Sequence, residues 1–465
     1  MPSMDTSVPT LAELRNRINC LSGEAELQAH YHDASGFQGK APSLVFRPST
    51  TDEVAQIVRA CAAEQKRITI QGGLTGLAGG ACPDEGDVVI SLARMNQVLE
   101  FDEVGGTLTV QAGMVLQSLC EHVEQAGWYF PLDFGARGSC QIGGNVSTNA
   151  GGNRVLRYGT TRDLVLGLEV VLPDGQVLSM LNKGLKNNTG IDLKHLFIGT
   201  EGSLGIITKV ILRLFPKPEA RYSALAAVNS YDDITRLLTS ARANLPDLSS
   251  FEVMWHDYMD AACRLLDRSL PFDQAYPLYV LVETEGKQSE RNEHDLQAWL
   301  ESQIESEIVA DVIVPQSHEQ AAQLWKTRDV SGELLAGLAP SLAFDVGVPV
   351  DKTADYVDTV RTKLKERYPQ AESLFFGHLG DGNLHIVTGP YDPDTFLDVE
   401  AIVYDEIAAA QGSISAEHGI GRIKKPFLFH SRNPQELALM QSMKQLLDPA
   451  QRFNAGRIYP DTQAD

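Results

Sequence analysis

Two short segments of this sequence carry the side chains best suited to chemistry. The first contains His378 and His385, separated by Asp381-Gly382, a dipeptide that favours a two-residue hairpin turn. In such a hairpin His378 would lie directly opposite His385, with Cβ atoms about 4.5 to 5.5 Å apart. Both imidazoles could then bind one cation, with Asp381 expected as a turn former and not as a ligand.

The second segment, Ser413 to Gly421, contains Glu417 and His418. Glu417 is a candidate third ligand, because two histidines and a carboxylate leave coordination positions open, as a catalytic metal site requires. Zinc fits this ligand set best, while ligand type alone also admits manganese, iron or cobalt. The His418 side chain is expected to point away from that of Glu417. An imidazole with an unperturbed pKa of about 6.5 can accept a proton at neutral pH.

Each of these residues also has a structural interpretation. A single histidine in a glycine-rich turn is commonly only a polar loop residue. Arg328 could bind a substrate carboxylate through two parallel hydrogen bonds, or it could lie on a solvated helix face. From the residues alone, the solvated helix face is the favoured interpretation of Arg328.

Three glycine-rich segments precede these residues: Gln71 to Gly80, Gly138 to Gly152 and Gly199 to Ile207. Glycine lets backbone N–H groups approach a ligand such as a pyrophosphate closely. None has the GxGxxG spacing of a Rossmann turn or the GK[ST] of a P-loop. One such segment could serve only as a tight turn, but three within about 220 residues indicate a long ligand lying along the backbone.

Together with Pro131-Leu132-Asp133, these segments resemble the FAD-binding half of the PCMH-type (vanillyl-alcohol oxidase-like) flavoproteins. The C-terminal motifs resemble the D-2-hydroxyglutarate and D-lactate dehydrogenase branch of that family. The resemblance covers nearly the whole chain and implies an α+β fold. It implies a two-subdomain PCMH-type FAD-binding domain (1–217), an α+β substrate domain with an antiparallel sheet (218–415), and a C-terminal helical segment (416–465) that packs back on the FAD domain.

The resemblance also implies roles for single residues. The family positions that match His378, His385 and Glu417 bind metal, and the position that matches His418 is the base. Arg328 would bind the substrate carboxylate and Asn383 would hydrogen-bond the substrate. The pyrophosphate would lie near the first glycine-rich segment and the isoalloxazine ring near the second. The expected FAD-binding residues are Gln71, Gly72, Gly73, Leu74, Thr75, Gly76, Gly79, Pro131, Asp133, Gly138, Ser139, Ile142, Gly143, Gly144, Asn145, Thr148, Asn149, Gly151, Gly152, Glu201, Gly202, Gly205, Ile206, Ile207 and Asn454.

Two positions bear on finer points of the resemblance. Some relatives attach flavin covalently through a His or Cys in these loops, and Cys140 stands in one of them, but the branch resembled binds FAD non-covalently. Ala343 stands where the hydroxyglutarate enzymes carry a lysine for the distal carboxylate. This leaves the length and second charge of the substrate open, although Lys326, Arg422 or Lys424 could compensate.

These expectations combine into an FAD- and divalent-metal-dependent dehydrogenase that oxidises a D-2-hydroxy acid to the 2-oxo acid. D-2-Hydroxyglutarate is the first candidate, with D-malate and D-lactate as alternatives. His418 would take the hydroxyl proton of the metal-chelated acid as a hydride passes to the flavin, and electron-transferring flavoprotein or a quinone would accept the electrons. The alternatives are a flavoprotein oxidase of the same fold acting on another alcohol, a metal-dependent hydrolase, which leaves the glycine-rich segments unexplained, and a non-catalytic binding module.

The composition limits which binding partners and which cellular location are expected. A net charge of -22 disfavours binding to nucleic acid or anionic lipid, both of which need a surplus of Lys and Arg. Six scattered cysteines without a CxxC pair predict reduced, mostly buried thiols. The N-terminus lacks the apolar core of a signal peptide, and no run approaches the roughly 18 to 20 apolar residues of a membrane span. A cytoplasmic protein without a membrane span is therefore expected, and a homodimer is a further expectation.

The pattern of apolar residues predicts the elements that position these side chains. Apolar residues at helical spacing predict a helix over residues 10 to 32 and others at Tyr231 to Ala243, Ser289 to Glu305 and Pro434 to Leu447. Leu164 to Leu172, a Pro-Asp-Gly turn and Gln176 to Met180 predict a β-hairpin.

Overall fold

A computed structural model of the chain describes residues 8–287 and 289–459. The chain divides into two compact units. Within the described residues, the first unit comprises the chain up to 152, 159–216 and 417–459, and the second comprises 153–158 and 217–416. The chain therefore crosses between the units several times, and each unit is built from segments that are distant in sequence.

The described residues form α-helices of four to seventeen residues. In chain order these are α1 (Leu11–Arg15), α2 (Glu24–Gln28), α3 (Thr51–Ala63), α4 (Leu116–Glu124), α5 (Ile142–Thr148), α6 (Val155–Tyr158), α7 (Thr161–Leu164), α8 (Tyr231–Asn244), α9 (His256–Leu265), α10 (Ser289–Glu305), α11 (His318–Asp329), α12 (Ser331–Gly337), α13 (Thr353–Arg367), α14 (Phe396–Ala410) and α15 (Pro434–Leu447). Short 3₁₀ turns occur at Leu92–Arg94, Leu193–Leu196, Val350–Lys352, Leu379–Asp381, Pro393–Thr395 and Lys425–His430.

The strands of the described residues form four sheets. They are β1 (Cys20–Leu21), β2 (Leu44–Phe46), β3 (Ile68–Gln71), β4 (Val88–Ser91), β5 (Val98–Asp102), β6 (Thr107–Gln111), β7 (Trp128–Tyr129), β8 (Val165–Val171), β9 (Val177–Met180), β10 (Ile206–Arg213), β11 (Phe215–Pro216), β12 (Ala220–Val228), β13 (Leu248–Trp255), β14 (Leu278–Gly286), β15 (Asp311–Ile313), β16 (Leu342–Gly347), β17 (Glu372–His378) and β18 (Asn383–Gly389).

The first unit contains two larger sheets. One has the order β1-β2-β4-β3, with β2 and β3 parallel to β4 and β1 antiparallel to β2. The other has the order β5-β6-β10-β8-β9 and is antiparallel throughout. Two sheets of different topology correspond to the two subdomains of a PCMH-type FAD-binding domain, so the predicted α+β fold class is confirmed.

The C-terminal segment completes the first of these sheets. The Ile68 N–H donates to the carbonyl of Arg452 (2.8 Å), and the Asn454 N–H donates to the carbonyl of Ile68 (2.9 Å). The Asn454 Oδ1 accepts from the Ile70 N–H (2.9 Å), and Arg457, which is 1% exposed, donates to the carbonyls of Gly80 and Cys82. The edge of β3 is thus satisfied by residues some 380 positions later in the chain.

The second unit is built on one sheet of order β15-β12-β14-β13-β17-β18-β16, in which every pair is antiparallel. On one face an apolar cluster includes residues of α9 and α12, such as Met259 and Leu334, packed with Phe376 and Val387 of the sheet. On the other face Phe344 contacts Tyr404 of α14. Helices therefore pack against both faces of this sheet.

The secondary-structure predictions have mixed outcomes. The hairpin of β8 and β9 and the helix Pro434–Leu447 are confirmed. The long helix over residues 10 to 32 is wrong, because α1 ends at Arg15 and β1 pairs with β2 before α2 begins. The strand pairing of Cys20 and Leu21 with Phe46 and Val45 overrides the helical spacing of the sequence. None of the helices in the described part of the chain combines the length and the apolar character of a membrane-spanning helix.

Candidate functional site

The two histidines of the predicted metal site lie on one face of the sheet of the second unit. The predicted two-residue turn is wrong: a 3₁₀ turn at Leu379–Asp381 and Gly382, with φ 82°, join β17 and β18. His385 is consequently opposite Phe376 and not opposite His378. A register shift of two residues preserves the face, because side chains alternate with period two. The imidazole centroids are 5.2 Å apart, and Asp381 accepts the Asn383 N–H within the turn (3.2 Å).

A row of four polar side chains crosses four adjacent strands. Glu252 of β13 is the register partner of His378, and Asp345 of β16 is the register partner of His385. The Glu252 Oε1 lies 2.7 Å from the His378 Nδ1, and the Asp345 Oδ1 lies 3.7 Å from the His385 Nδ1. Each imidazole thus has a buried carboxylate on its Nδ1 side.

Glu252 is 2% exposed and uses both carboxylate oxygens. Its Oε2 accepts from the Arg328 Nε at 2.7 Å, and its Oε1 faces the His378 Nδ1. Burial raises the pKa of the Glu252 carboxyl, but the charges and hydrogen bonds of His378 and Arg328 outweigh this and bring the pKa to about 2. Because a carboxylate can only accept, the His378 Nδ1 carries the proton in this hydrogen bond. Nε2 is then the ring nitrogen that Glu252 leaves for a metal ion.

Arg328 lies in the last turn of α11 and is 7% exposed, so the alternative of a solvated helix face is wrong. Its guanidinium lies over the Phe376 ring (5.2 Å), and the Tyr258 hydroxyl donates to its carbonyl (2.5 Å). The Nη2 is 3.1 Å from Nε2 and 3.4 Å from Nδ1 of His378. These nearly equal distances place Nη2 beside the ring and not along the lone pair of Nε2.

Asn383 begins β18, two residues before His385 and therefore on the same face. It is 4% exposed, and neither Oδ1 nor Nδ2 has a hydrogen-bond partner within the described residues. A buried, unsatisfied amide costs about 1 to 3 kcal/mol. Native proteins rarely retain such a group without a function, so the geometry fits a residue that hydrogen-bonds a ligand.

Glu417 and His418 belong to the first unit, where both line a pocket with the glycine-rich segments. The Glu417 carboxylate packs against the backbone of Gly151 so closely that a Cβ there would lie 2.4 Å from its Oε1. The preceding residue, Ala416, is in the second unit, and its N–H donates to the carbonyl of Asp345 (3.2 Å). Glu417 is thus one residue from a position that is hydrogen-bonded to the strand of Asp345.

Glu201 fixes the loop that follows His418. Its Oε1 accepts from the Ile420 N–H (2.7 Å) and its Oε2 from the Gly421 N–H (2.8 Å). Gly419 and Gly421 both have positive φ, and a Cβ on Gly421 would lie 2.1 Å from the carbonyl of Ala78. The loop therefore adopts a backbone path that glycine makes possible.

The pocket of the first unit is lined by bare backbone over much of its surface. A Cβ built on Gly144 would meet no atom within 4 Å, and one on Gly72 or Gly76 would meet none closer than 3.7 Å. The expected FAD-binding residues that line it are Gly72, Gly73, Leu74, Thr75, Gly76, Gly143, Gly144, Asn145, Thr148, Gly151, Glu201, Gly202, Gly205, Ile207 and Asn454. Such a wall admits a flat, extended ligand and fits FAD.

Other residues expected to contact FAD lie outside the lining. These are Gln71, Gly79, Pro131, Asp133, Gly138, Ser139, Ile142, Asn149, Gly152 and Ile206. Gln71 is fully buried, and its amide is bonded to the carbonyls of His30 and Ala81 and to the His30 ring. Asn149 accepts the Arg162 N–H. These side chains shape the loops of the unit.

Sequence reasoning missed three residues. Gln141 lines the pocket, is 6% exposed, and its Oε1 has no hydrogen-bond partner within the described residues. Glu252 and Asp345 stand behind the histidines. All three carried a weak signal: a single carboxylate within an apolar strand, or a glutamine two residues before a Gly-Gly pair, is a polar group that must find a partner.

The cysteine prediction is confirmed. All six cysteines are free, and five of them are buried. Burial raises the pKa of the Cys61 thiol to about 12 and that of Cys82 to about 11. These thiols are therefore protonated and poorly reactive at neutral pH.

Comparison with known proteins agrees with the fold and the pocket. The profile described as "FAD binding domain" matches residues 42–180, and the one described as "FAD linked oxidases, C-terminal domain" matches residues 217–458. p-Cresol methylhydroxylase with bound substrate superimposes with a TM-score of 0.77, covering 98% of this chain and 97% of that one at 17% identity, a likeness of fold alone.

Curated relatives are closer in sequence. D-2-hydroxyglutarate dehydrogenase, mitochondrial, of Arabidopsis thaliana is 40% identical over 98% of this chain and 82% of its own length. The Bos taurus protein of the same name is 42% identical over 90% and 77%. D-2-hydroxyglutarate dehydrogenase of Xanthomonas citri pv. viticola is 38% identical over 97% of both chains.

The fold and the pocket define an FAD-binding oxidoreductase of the PCMH type. The chain belongs to the family of FAD-linked oxidases, in the group that contains the relatives named above.

The expectation of a cytoplasmic location is contradicted, because the Arabidopsis and Bos taurus relatives are mitochondrial by name, while the Xanthomonas name gives no compartment. The expectation rested partly on reduced thiols. Free cysteines indicate a reducing environment and do not identify a compartment.

Proposed function

We propose that this protein is an FAD- and divalent-metal-dependent dehydrogenase that oxidises a small D-2-hydroxy acid to the 2-oxo acid. D-2-Hydroxyglutarate is the first candidate, because the relatives from Arabidopsis, Bos taurus and Xanthomonas are named for it. The observation that carries the proposal is the pair of imidazoles on one sheet face, each with a buried carboxylate behind its Nδ1. This is the usual arrangement behind histidines that bind a catalytic metal.

His378, His385 and Glu417 are the proposed metal ligands. The shared face of the histidines and the one-residue link between Ala416 and Glu417 support this set. Zinc is the preferred ion for two imidazoles and one carboxylate. A divalent ion held there would bind the 2-hydroxyl of the substrate and lower its pKa.

The other side chains bind the substrate and move its proton. Arg328 would bind the 2-carboxylate, and the Asn383 amide would form hydrogen bonds with the substrate. His418 would accept the hydroxyl proton. FAD, when bound, would supply the hydride acceptor. We propose non-covalent binding, because the Cys140 thiol is 1% exposed, accepts from the Asn145 Nδ2 (3.5 Å), and has a pKa raised by burial.

The proposal also includes an electron acceptor and a homodimeric assembly. Electron-transferring flavoprotein or a quinone would reoxidise the flavin, and the chain could form a homodimer. A panel of acceptors offered to the reduced enzyme, and mass measurement by light scattering, would test these two points. Negligible peroxide formation in air would separate a dehydrogenase from an oxidase.

The main experiment mixes the purified protein anaerobically with D-2-hydroxyglutarate, D-malate or D-lactate and follows the visible flavin absorbance. We expect bleaching by at least one D-acid and none by its L-enantiomer. The His385→Ala variant should keep its flavin and lose its metal and its turnover. A colourless protein would favour the hydrolase, and a fully active His385→Ala variant would remove the metal from the mechanism.

His418→Gln tests the base separately. We expect kcat to fall by about 10²- to 10⁴-fold, the usual contribution of general base catalysis, with metal and flavin contents unchanged. The pH-rate profile of the wild type should lose its acidic limb in the variant. Retention of that limb would assign the base to another group.

A further inference from the structure

The structure points to a positioning residue behind the proposed metal and carboxylate-binding groups. We propose that Glu252 holds both: through one oxygen it presents the His378 imidazole to the metal, and through the other it orients the Arg328 guanidinium for the substrate carboxylate. This inference rests on the proposed function and adds to it a residue that touches neither substrate nor metal.

The position of Glu252 in the sheet makes this possible. Glu252 and His378 are directly opposed on β13 and β17, so their side chains share a face about 4.5 to 5.5 Å apart at Cβ. Arg328 reaches the same face from the last turn of α11. A helix and two strands therefore bring three side chains to one point, where the Glu252 carboxylate forms a 2.7 Å hydrogen bond with each of the other two.

The hydrogen bonds fix the chemical form of His378. The 2.7 Å contact points Nδ1 at the Glu252 Oε1 and favours the tautomer with the proton on Nδ1, because that N–H can donate to the carboxylate. That tautomer presents Nε2 as the ligand atom. It also prevents rotation of the ring about χ2, since a flipped ring would place a C–H against the carboxylate.

The second oxygen fixes Arg328. Its Nε donates to Oε2 at 2.7 Å, while the Phe376 ring lies 5.2 Å from the guanidinium carbon. The Nη2 atom lies 3.1 Å from the His378 Nε2, and the Nη1 atom lies 3.6 Å from the Asp329 Oδ1. The N–H groups of these two nitrogens are the donors that a carboxylate ligand would use. One buried carboxylate thus sets the distance between the anion-binding group and a metal ligand.

Glu252→Gln tests this role. The amide keeps the size of the side chain, but it is neutral and only its oxygen can accept. It therefore cannot replace both hydrogen bonds of the carboxylate. We expect the zinc affinity, measured by competition with a chromophoric chelator, to weaken by about 10- to 100-fold, the usual effect of removing such a partner. KM for the hydroxy acid should rise, and the flavin spectrum should be unchanged.

Glu283→Gln is the matched control. Glu283 is also buried (4% exposed), lies on the adjacent strand β14, and is paired with Arg154 (2.6 Å) and bonded to Trp325 (2.8 Å). Glu283→Gln should lower the stability of the protein, as Glu252→Gln does, but it should not change the zinc affinity. Equal zinc affinities in the two variants would overturn the positioning role.

A second pair of variants covers the case in which Glu252→Gln fails to fold, because it leaves the Arg328 charge buried and unpaired. Arg328→Met removes that charge and keeps Glu252 against His378. Comparing it with the double variant Glu252→Gln/Arg328→Met isolates the action of Glu252 on His378. We expect at least about a tenfold loss of zinc affinity between them, and no loss would overturn the proposal.

Measurements on the wild-type protein distinguish failure of the proposed function from failure of the positioning role. If wild-type protein binds no zinc and no D-2-hydroxy acid reduces its flavin, the proposed function fails. If wild-type protein does both and the Glu252 variants match their controls, only the positioning role fails.

Discussion

At the scale of single residues, the site combines satisfied and unsatisfied buried polar groups. Glu252 has both oxygens in short contacts, one with the Arg328 guanidinium and one with the His378 imidazole, while Asn383 has neither amide atom bonded within the described residues. A buried charge with hydrogen-bond partners fixes the geometry of the side chains around it, whereas a buried amide without partners favours binding of a ligand that supplies them. The two residues illustrate the difference between positioning a site and binding in it.

Asn383→Leu should therefore make the substrate-free protein more stable. Replacing an unbonded buried amide with a similar apolar side chain removes its desolvation penalty, and we expect about 1 kcal/mol of added stability. KM for the acid should rise about tenfold, since the substrate loses one hydrogen bond. Urea unfolding and steady-state kinetics measure the two effects.

Thr388→Val is the control for the gain in stability and the rise in KM expected of Asn383→Leu. Thr388 is a fully buried residue of the same strand, and its hydroxyl is bonded to the Glu372 carbonyl and the Tyr391 hydroxyl. Its loss should reduce stability and leave KM unchanged. A destabilised Asn383→Leu protein with normal KM would indicate that the amide has a structural partner.

At the scale of elements, the β17–β18 hairpin decides whether the histidines meet. The sequence predicts the shared face correctly, because any even register shift preserves it. It does not predict the register, since Asp-Gly is compatible with both a two-residue turn and a longer one. The longer turn is stabilised by tertiary contacts, including the Val348 N–H, which donates to the Gly382 carbonyl (2.8 Å).

Gly382→Ala should weaken this hairpin. Gly382 has φ 82°, and a Cβ there would lie 3.0 Å from the carbonyl of Val348. A left-handed non-glycine residue costs about 1 to 2 kcal/mol, so urea unfolding should show a loss of that size. Gly332→Ala in α12 is the control: a Cβ there meets no atom within 4 Å, and a helical alanine should stabilise. A neutral Gly382→Ala would mean that the turn can change its conformation.

The second element that sequence patterns describe incompletely is the C-terminal segment. The pattern predicts α15 at its observed bounds, yet nothing local indicates that Asn454 bonds to Ile70 and Glu201. Such contacts depend on residues hundreds of positions apart. Glu252 and Asp345 stand on strands other than those of their histidines, so a local pattern does not reveal these pairs either. The glycine-rich segments and the two histidine motifs are visible in the sequence because each is a local pattern.

Asn454→Ala should weaken flavin binding in the first unit. The change removes bonds to the Ile70 N–H (2.9 Å) and the Glu201 carbonyl (2.6 Å), both next to the pocket. We expect flavin to dissociate at a lower temperature, as measured by the rise of free-flavin fluorescence. Asn433→Ala, which removes only the N-cap of α15, should cost about 1 kcal/mol and leave the flavin-release temperature close to that of the wild type. Equal release temperatures for the two variants would place Asn454 outside flavin binding.

At the scale of the whole molecule, the residues proposed for flavin and those proposed for metal differ in their distribution. The pocket that fits FAD is lined by residues of the first unit, whereas His378 and His385 belong to the sheet of the second. Of the three proposed metal ligands, only Glu417 lies in the first unit, where it lines the pocket. Flavin retention should therefore be separable from metal binding.

Removal of the metal tests this separation. After dialysis against EDTA we expect the protein to keep its flavin absorbance and to lose reduction by the D-2-hydroxy acid, because the flavin pocket does not use the two imidazoles. Chemical reduction with dithionite should remain, which shows that the flavin itself is intact. Added zinc should restore reduction by the acid. Release of flavin together with the metal would show that the first unit needs the ion to keep its pocket, and unchanged reduction by the acid would show that Arg328, Asn383 and His418 suffice without it.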